Sequence, residues 1–302
     1  MNAADDGRWI RAMPWVFVLV WSTGFIVARY GMPYAPPLSF LAWRYALSVL
    51  CFLPWIVWAG VRWPQSREQW LHLAVVGLLM HGGYLGGVWI AVKAGMGAGL
   101  SALIVGLQPV LTAIWLSSTG GRVTGRQWLG LLLGFAGLVL VVLRKLMYQA
   151  PGDVVTAFNV SFAVLALLSI TAGTLYQKRF VQACDVRTAN TVQLLAAFLL
   201  TLPLALLLEV EPMQWNGQLV GAMAWSVLVL TIGGSSLLYM LIQRGAAASV
   251  TSLMYLVPPC TAVIAWVLFN EPLTLTSLAG IALTALGVSL VVRPARKTAS
   301  TP

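Results

Sequence analysis

The apolar run at 69–92 contains two polar side chains at helical spacing. His81 and Tyr84 are three residues apart, which places both on one face of a helix. Buried polar groups cost free energy in apolar surroundings, so they mark either a cavity or a contact between helices. Because histidine changes charge near neutral pH, His81 is a candidate for substrate binding or proton coupling. The alternative is a packing histidine whose hydrogen bonds are satisfied by its neighbours.

Other polar and aromatic side chains also stand within long apolar runs. They are Trp21, Gln108, Tyr176, Tyr239 and Tyr255. Together with His81 and Tyr84, they predict an aromatic, hydrogen-bonding cavity for a zwitterion with a variable side chain. Two alternatives stay open, namely packing or interface anchoring for the single aromatics and an interhelical hydrogen bond for Gln108.

Arg44 is the strongly charged residue that lies well inside an apolar run. It is about seven residues, roughly 10 Å, from the N-terminal end of the predicted helix 37–58. Its guanidinium can extend to the interface, pair with an acid such as Glu271, or bind the carboxylate of a substrate. These structural and substrate-binding roles all stay open at the level of sequence.

The sequence lacks the motifs of metal, nucleotide and redox chemistry. It has no HExxH, Asp-rich box, P-loop or GxGxxG motif, and Cys51, Cys184 and Cys260 form no CxxC pair. We therefore predict no cofactor, no metal and no catalytic residue. The middle of each apolar run is also free of acids, which argues against an antiporter that exchanges protons for cations at a buried Glu.

The elements that position these residues are apolar helices. Of 302 residues, 60% are hydrophobic and 9% are charged, whereas soluble domains carry about 25% charged residues. The net charge of +10 does not indicate nucleic-acid binding, because the basic residues occur singly or in pairs between apolar runs. We predict an all-α integral membrane protein with ten spanning helices, near 13–28, 37–58, 69–92, 98–118, 126–143, 155–177, 188–208, 218–243, 247–269 and 273–292.

The distribution of Lys and Arg predicts how the chain is oriented. With the N-terminus inside, thirteen of these residues fall on the cytoplasmic side, and four (Arg29, Lys93, Arg144 and Lys145) fall on the other side. Cytoplasmic segments of membrane proteins are enriched in Lys and Arg. We therefore expect a multi-pass protein of the inner (plasma) membrane with both termini in the cytoplasm.

The second half of the sequence repeats the first at a constant offset of 150 residues. The paired positions include Gly and Pro, which composition alone does not explain: Gly95/Gly245, Pro109/Pro259, Gly130/Gly280 and Gly137/Gly287. We predict two five-helix repeats, 1–148 and 149–302, within one membrane domain. Because five is odd, the second repeat is inverted, which suits alternating access to a central site. This arrangement favours a transporter over a membrane enzyme.

Three stretches carry motifs typical of a known family. They are the WSTGF stretch at 21–25, Pro37 with Phe40 and Arg44, and the segment 245–287 with Pro258, Pro259 and Glu271-Pro272. These motifs resemble the drug/metabolite transporter superfamily, in particular its EamA-type ten-helix exporters, although Gly121-Arg122 replaces Glu-Pro in the first half. The resemblance implies export of amino acids, drugs or other metabolites. The pattern is also similar to the YddG-type exporters of amino acids, including aromatic ones.

We predict a transporter that exports amino acids or related small metabolites by alternating access through a central cavity. One alternative is a multidrug or toxic-cation exporter, which would use cation–π contacts, and a less favoured one is an intramembrane enzyme. The expected partners are a small-molecule substrate and the lipid bilayer, without nucleic acid. Glycine spacings in helices three and five predict close packing within a monomer, with a dimer seam on helices five and ten as the alternative.

Overall fold

The computed structural model describes residues 3–118, 124–147, 154–234, 236–237 and 256–292, and these contain helices and links without strands. The first half comprises α1 (Ala3–Gly31), α2 (Pro37–Trp58), α3 (Arg67–Gly77), the π-helix π1 (Leu78–Leu85), α4 (Gly86–Lys93), α5 (Ala98–Val105), α6 (Gln108–Ser118) and α7 (Gly125–Met147). The second comprises α8 (Ala157–Phe180), α9 (Val186–Leu208), α10 (Gly217–Ala224), the π-helix π2 (Trp225–Gly233), α11 (Val257–Phe269) and α12 (Leu275–Val292).

The apolar helices coincide with the predicted spans. Within the described residues, five helices are long and apolar enough to cross a membrane: Ala12–Gly31, Pro37–Trp58, Arg67–Lys93, Ala157–Phe180 and Val186–Leu208. Five shorter apolar helices lie at Ala98–Thr112, Trp128–Val141, Gly217–Gly233, Val257–Phe269 and Leu275–Gly287. Large apolar side chains such as Val57 and Leu207 point outward, where lipid can cover them. The all-α membrane fold is confirmed.

Side-chain caps in the links define where several helices begin. Ser66 caps α3, and Thr156 and Asn159 form a reciprocal capping box at the start of α8. Asp185 caps α9, and its hydrogen bonds with Arg187 lower the pKa of the Asp185 carboxyl. Each cap satisfies N–H groups that a helix leaves without partners in its first turn.

The equivalent helices α2 and α9 of the two halves run in opposite directions. Helix bounds recur at the sequence offset, since α2 ends at 58 and α9 at 208, and α3 begins at 67 and α10 at 217. The links pair crosswise: the link after α9 contacts the link before α2, where the Gln214 N–H donates to the Tyr34 carbonyl (2.8 Å). At the other end, Gln69 at the start of α3 donates to the carbonyl of Gln182, in the link before α9 (2.9 Å). The predicted division at 148/149 falls outside the described residues.

Glycines allow the helices to approach closely within the monomer. A Cβ added at Gly137 of α7 would lie 2.5 Å from the Gly280 carbonyl oxygen on α12, and one at Gly87 would lie 2.6 Å from the Phe162 carbonyl oxygen on α8. These contacts leave no room for a larger side chain. Gly137 and Gly87 therefore lie at close contacts between helices of one chain.

Acidic side chains join the two halves at one end of the molecule. Glu209, at the end of α9, accepts hydrogen bonds from the N–H groups of Leu38 and Ser39 and from the Ser39 hydroxyl, each at 2.7 Å. Glu211 pairs with Lys93 at 2.9 Å. We call this end the acidic face; it carries the links that the sequence predicts to be outside.

Removing the charge of Glu209 is expected to destabilise the protein. The carboxylate satisfies N–H groups in the first turn of α2, where the helix dipole favours a negative charge. We expect Glu209→Gln to cost about 1–2 kcal/mol, measured as a lower unfolding temperature in detergent. The control is Glu68→Gln, because the Glu68 side chain is 79% exposed and should change stability by less than about 0.5 kcal/mol. Equal shifts for both variants would contradict this role of Glu209.

Candidate substrate-binding cavity

An interior cavity of about 100 Å³ lies between the two halves of the chain. It is bounded by α1, α2, π1, α4, α9 and π2. The described lining residues with polar side-chain atoms are Trp21, Arg44, His81, Tyr84, Trp89, Asn190 and Thr231. The remaining lining is apolar, for example Phe25, Val88 and Leu230. Apolar walls with a few convergent polar groups are typical of ligand sites.

Both π-helices contribute residues to the cavity. The π-helix is rare, appears mostly as a short insertion within an α-helix, and is frequent at functional sites. Thr231 in π2 donates its hydroxyl to the carbonyl of Ser226, five residues earlier (2.9 Å), a partner that fits the wider π turn. His81 in π1 and Thr231 in π2 are separated by the repeat offset. Equivalent positions of the two halves therefore meet at one cavity.

Arg44 is the charged residue among those described in the cavity lining. Its Nε and Nη2 lie 3.3 and 3.2 Å from the Thr231 hydroxyl oxygen. Its guanidinium carbon lies 5.5 Å from the centre of the Trp89 ring, within the range of a cation–π contact. The side chain is buried, and Arg44 Nη1 has no hydrogen-bond partner in the described residues.

Four side-chain atoms of the lining share this property of being buried without a partner in the described part of the chain. They are Arg44 Nη1, His81 Nδ1, Trp89 Nε1 and Asn190 Nδ2. Leaving a buried polar atom unsatisfied costs about 1–3 kcal/mol, and more for a charged group. All four atoms belong to residues that line one cavity, where a ligand that accepts hydrogen bonds would supply the partners they lack.

The imidazole of His81 is held by neighbouring helices. The Tyr45 hydroxyl on α2 donates to the His81 carbonyl (2.7 Å), and the Tyr45 ring lies 5.9 Å from the imidazole. Gln193 on α9 is a side-chain neighbour of His81. The ring therefore lies next to α2 and α9, and its Nδ1 has no hydrogen-bond partner among the described residues.

The structure brings together four of the residues that the sequence singled out: Trp21, Arg44, His81 and Tyr84. It places Gln108 and Tyr176 elsewhere. Gln108 donates to the Thr174 hydroxyl (2.9 Å), which is the interhelical hydrogen bond considered as its alternative, and the Tyr176 hydroxyl bonds His72 Nδ1 (2.8 Å). Tyr239 and Tyr255 lie outside the described residues.

The contacts of Glu271 lie at α5 and Arg29, not at Arg44, in contrast to one of the three roles that the sequence left open for Arg44. Its carboxylate accepts from the N–H groups of Ala98 (2.9 Å) and Gly99 (3.4 Å) at the start of α5. It also lies 3.4 Å from Arg29 Nη1. The Glu-Pro motif therefore stabilises the acidic face, and Arg44 stays free to interact within the cavity.

Trp89, Asn190 and Thr231 were not predicted as site residues. Trp89 follows His81 by eight residues, a spacing that belongs to one face of a helix, and follows Tyr84 by five, a spacing that does not. The spacing from His81 was therefore the signal in the sequence that indicated Trp89. The repeat offset of 150 residues indicates Thr231, because this residue is the counterpart of His81 in the second half. Asn190 lies near the start of α9, where a polar side chain carries no distinctive signal.

Comparison with known proteins gives the family of the chain. The model of the EamA-like transporter family matches residues 12–143 and 157–293. An uncharacterized transporter of Archaeoglobus fulgidus is 24% identical over 275 residues, 90% of this chain and 93% of that protein. The uncharacterized transporter YvbV of Bacillus subtilis is 26% identical over 280 residues, 91% and 88% of the two chains.

A solved crystal structure has the same fold. It is 18% identical to this chain and superposes with a TM-score of 0.64, covering 93% of this chain and 95% of the other. A WAT1-related chloroplastic protein of Arabidopsis thaliana is 23% identical, over 91% of this chain and 67% of that protein. This chain is a membrane transporter and belongs to the EamA-like transporter family.

Proposed function

We propose that this transporter exports amino acids or related small metabolites that carry a carboxylate. The observation that carries the proposal is Arg44 Nη1, a buried cationic donor at the cavity without a partner in the described residues. Guanidinium groups bind carboxylates through strong charge-assisted hydrogen bonds. In this proposal the protein lies in the plasma membrane with both termini in the cytoplasm, and the inverted halves alternate access to the cavity.

The size of the cavity supports a small substrate. Pockets for drug-sized ligands measure about 300–1,000 Å³, whereas this cavity measures about 100 Å³. An amino acid or a metabolite of similar size fits this volume better than a bulky drug.

The charge of the cavity disfavours a cation exporter. Arg44 is buried in the lining, and charges interact strongly where water is excluded. A lipophilic cation would meet like charge in the cavity, and the aromatic faces would have to overcome that repulsion. We therefore rank the multidrug alternative below the carboxylate substrate.

Counterflow in proteoliposomes tests this proposal. Vesicles that contain the purified protein would be loaded with a mixture of unlabelled amino acids and diluted into a labelled amino acid. We expect accumulation of several labelled amino acids, with competition among them, and no accumulation in protein-free vesicles. Movement of a lipophilic cation such as tetraphenylphosphonium without movement of any amino acid would overturn the substrate class.

A further inference from the structure

None of the acids in the described part of the chain lines the cavity. The sequence contains eight: Asp5, Asp6, Glu68, Asp153, Asp185, Glu209, Glu211 and Glu271. Glu68 and Asp185 are at helix starts, and Glu209, Glu211 and Glu271 are in or next to the links of the acidic face. The segment 238–255 contains Arg244 and no acid. The charge that the described lining presents to a ligand is therefore the single positive charge of Arg44.

The unpartnered atoms of the cavity are mainly hydrogen-bond donors. Arg44 Nη1, Trp89 Nε1 and Asn190 Nδ2 donate only, whereas His81 Nδ1 donates or accepts according to its tautomer. A carboxylate has two oxygens that accept several such bonds. An ammonium group instead requires acceptors.

One acceptor of the lining, the Thr231 hydroxyl oxygen, is already engaged, while Asn190 Oδ1 and the Tyr84 hydroxyl are its further uncharged side-chain acceptors. The Thr231 hydroxyl oxygen lies within hydrogen-bonding distance of Arg44 Nε and Nη2, and its hydrogen is donated to the Ser226 carbonyl. The Arg44 guanidinium lies over the Trp89 ring. This face of the ring therefore already contacts a cation of the protein. An α-ammonium group next to a carboxylate bound at Arg44 would lie close to the guanidinium, and the two positive charges would repel each other.

From this arrangement we infer that the cavity prefers small organic monocarboxylates without an α-ammonium group over the corresponding zwitterionic amino acids. The carboxylate binds Arg44 Nη1 with Trp89 Nε1 or Asn190 Nδ2 as a further donor. The hydrocarbon part packs against Phe25, Val88 and Leu230. This inference rests on the proposed function and narrows its substrate class.

Three ligands with one carbon skeleton separate the contributions of the two charged groups. Leucine carries both the carboxylate and the ammonium, isocaproate lacks the ammonium, and isoamylamine lacks the carboxylate. Binding to the purified protein in detergent is measured by isothermal titration calorimetry, because small acids and amines cross lipid unaided and would obscure a flux assay. We expect isocaproate to bind about tenfold more tightly than leucine, and isoamylamine to show no measurable binding.

Variants identify which side chain causes the preference. Arg44→Gln should weaken the binding of isocaproate by more than the binding of leucine. The ratio of the two dissociation constants should then be close to one. Trp89→Phe keeps an aromatic ring but replaces the indole with a smaller phenyl group that has no N–H, so it should weaken the binding of both carboxylates by about threefold to tenfold. Arg62→Gln alters an exposed arginine in the link 59–66 and should leave all three affinities unchanged.

The outcomes distinguish this inference from the proposed function. Tighter binding of leucine than of isocaproate would overturn the preference for monocarboxylates and leave amino acid export intact. Binding of isoamylamine alone would overturn both. The ratio of the dissociation constants of leucine and isocaproate on the wild-type protein tests the preference even where a variant fails to fold.

Discussion

Replacing Arg44 with Gln is expected to abolish most carboxylate transport. Arg44 is buried at the cavity with Nη1 unpartnered in the described residues, so a bound carboxylate would form charge-assisted hydrogen bonds there. Truncating one partner of a buried charge pair costs about 2–5 kcal/mol, roughly a 30-fold to several-thousand-fold loss of affinity. The measurement is the dissociation constant of the substrate together with counterflow in proteoliposomes.

Two further variants separate the charge of Arg44 from its shape and its structural role. Arg44→Lys keeps the charge but loses the planar fork that bonds Thr231, so it should retain part of the affinity. Arg62→Gln removes a charge from an exposed link and should transport like the wild type. An Arg44→Gln protein that unfolds at a lower temperature but binds substrate normally would assign Arg44 a purely structural role.

Replacing Gly137 with Leu is expected to separate α7 from α12 and to destabilise the fold. A Cβ at this position would lie 2.5 Å from the Gly280 carbonyl oxygen and 2.6 Å from the Thr284 hydroxyl oxygen. Because backbone atoms supply the first of these contacts, a change of rotamer cannot relieve it. Overpacking costs about 1–3 kcal/mol and occasionally more. Because this contact involves backbone, we expect the upper end of that range and an unfolding temperature lower by about 5–10 °C.

The matched control is Gly221→Leu, a glycine in α10 with open space around it. Adding the same side chain there should change the unfolding temperature by a much smaller amount. If both variants unfold at the same temperature as the wild type, the close contact between α7 and α12 does not contribute to stability.

The sequence predicts the spans well because lipid imposes a simple requirement on them. A helix that crosses a bilayer needs a long apolar run, and the links between such runs carry Pro, Gly and charge. The inverted arrangement follows from the constant offset and the odd number of helices in each half. The spans and the predicted inversion both depend only on where residue types occur along the chain. One sequence is therefore enough to derive them.

The site was predicted only in part because it depends on which side of each helix faces the interior. Gln108 and Tyr176 have the same local signal as His81, a polar group in an apolar run, yet each is satisfied by a neighbour, Thr174 or His72. The π-helical turns that bring His81 and Thr231 to one cavity have no distinct composition. Sequence therefore identifies polar residues within the membrane without showing which of them meet.

The hydrogen bonds between Arg44 and Thr231 cross the boundary between the halves of the chain. If the halves change their relative position during transport, the guanidinium changes partners, and its affinity for a ligand changes with it. Thermodynamic reciprocity then requires that an occupied site shift the balance between the conformations by the same factor. Under that condition a single contact would link the occupancy of the site to the relative position of the two halves, and the loaded and empty forms would differ in their resting populations.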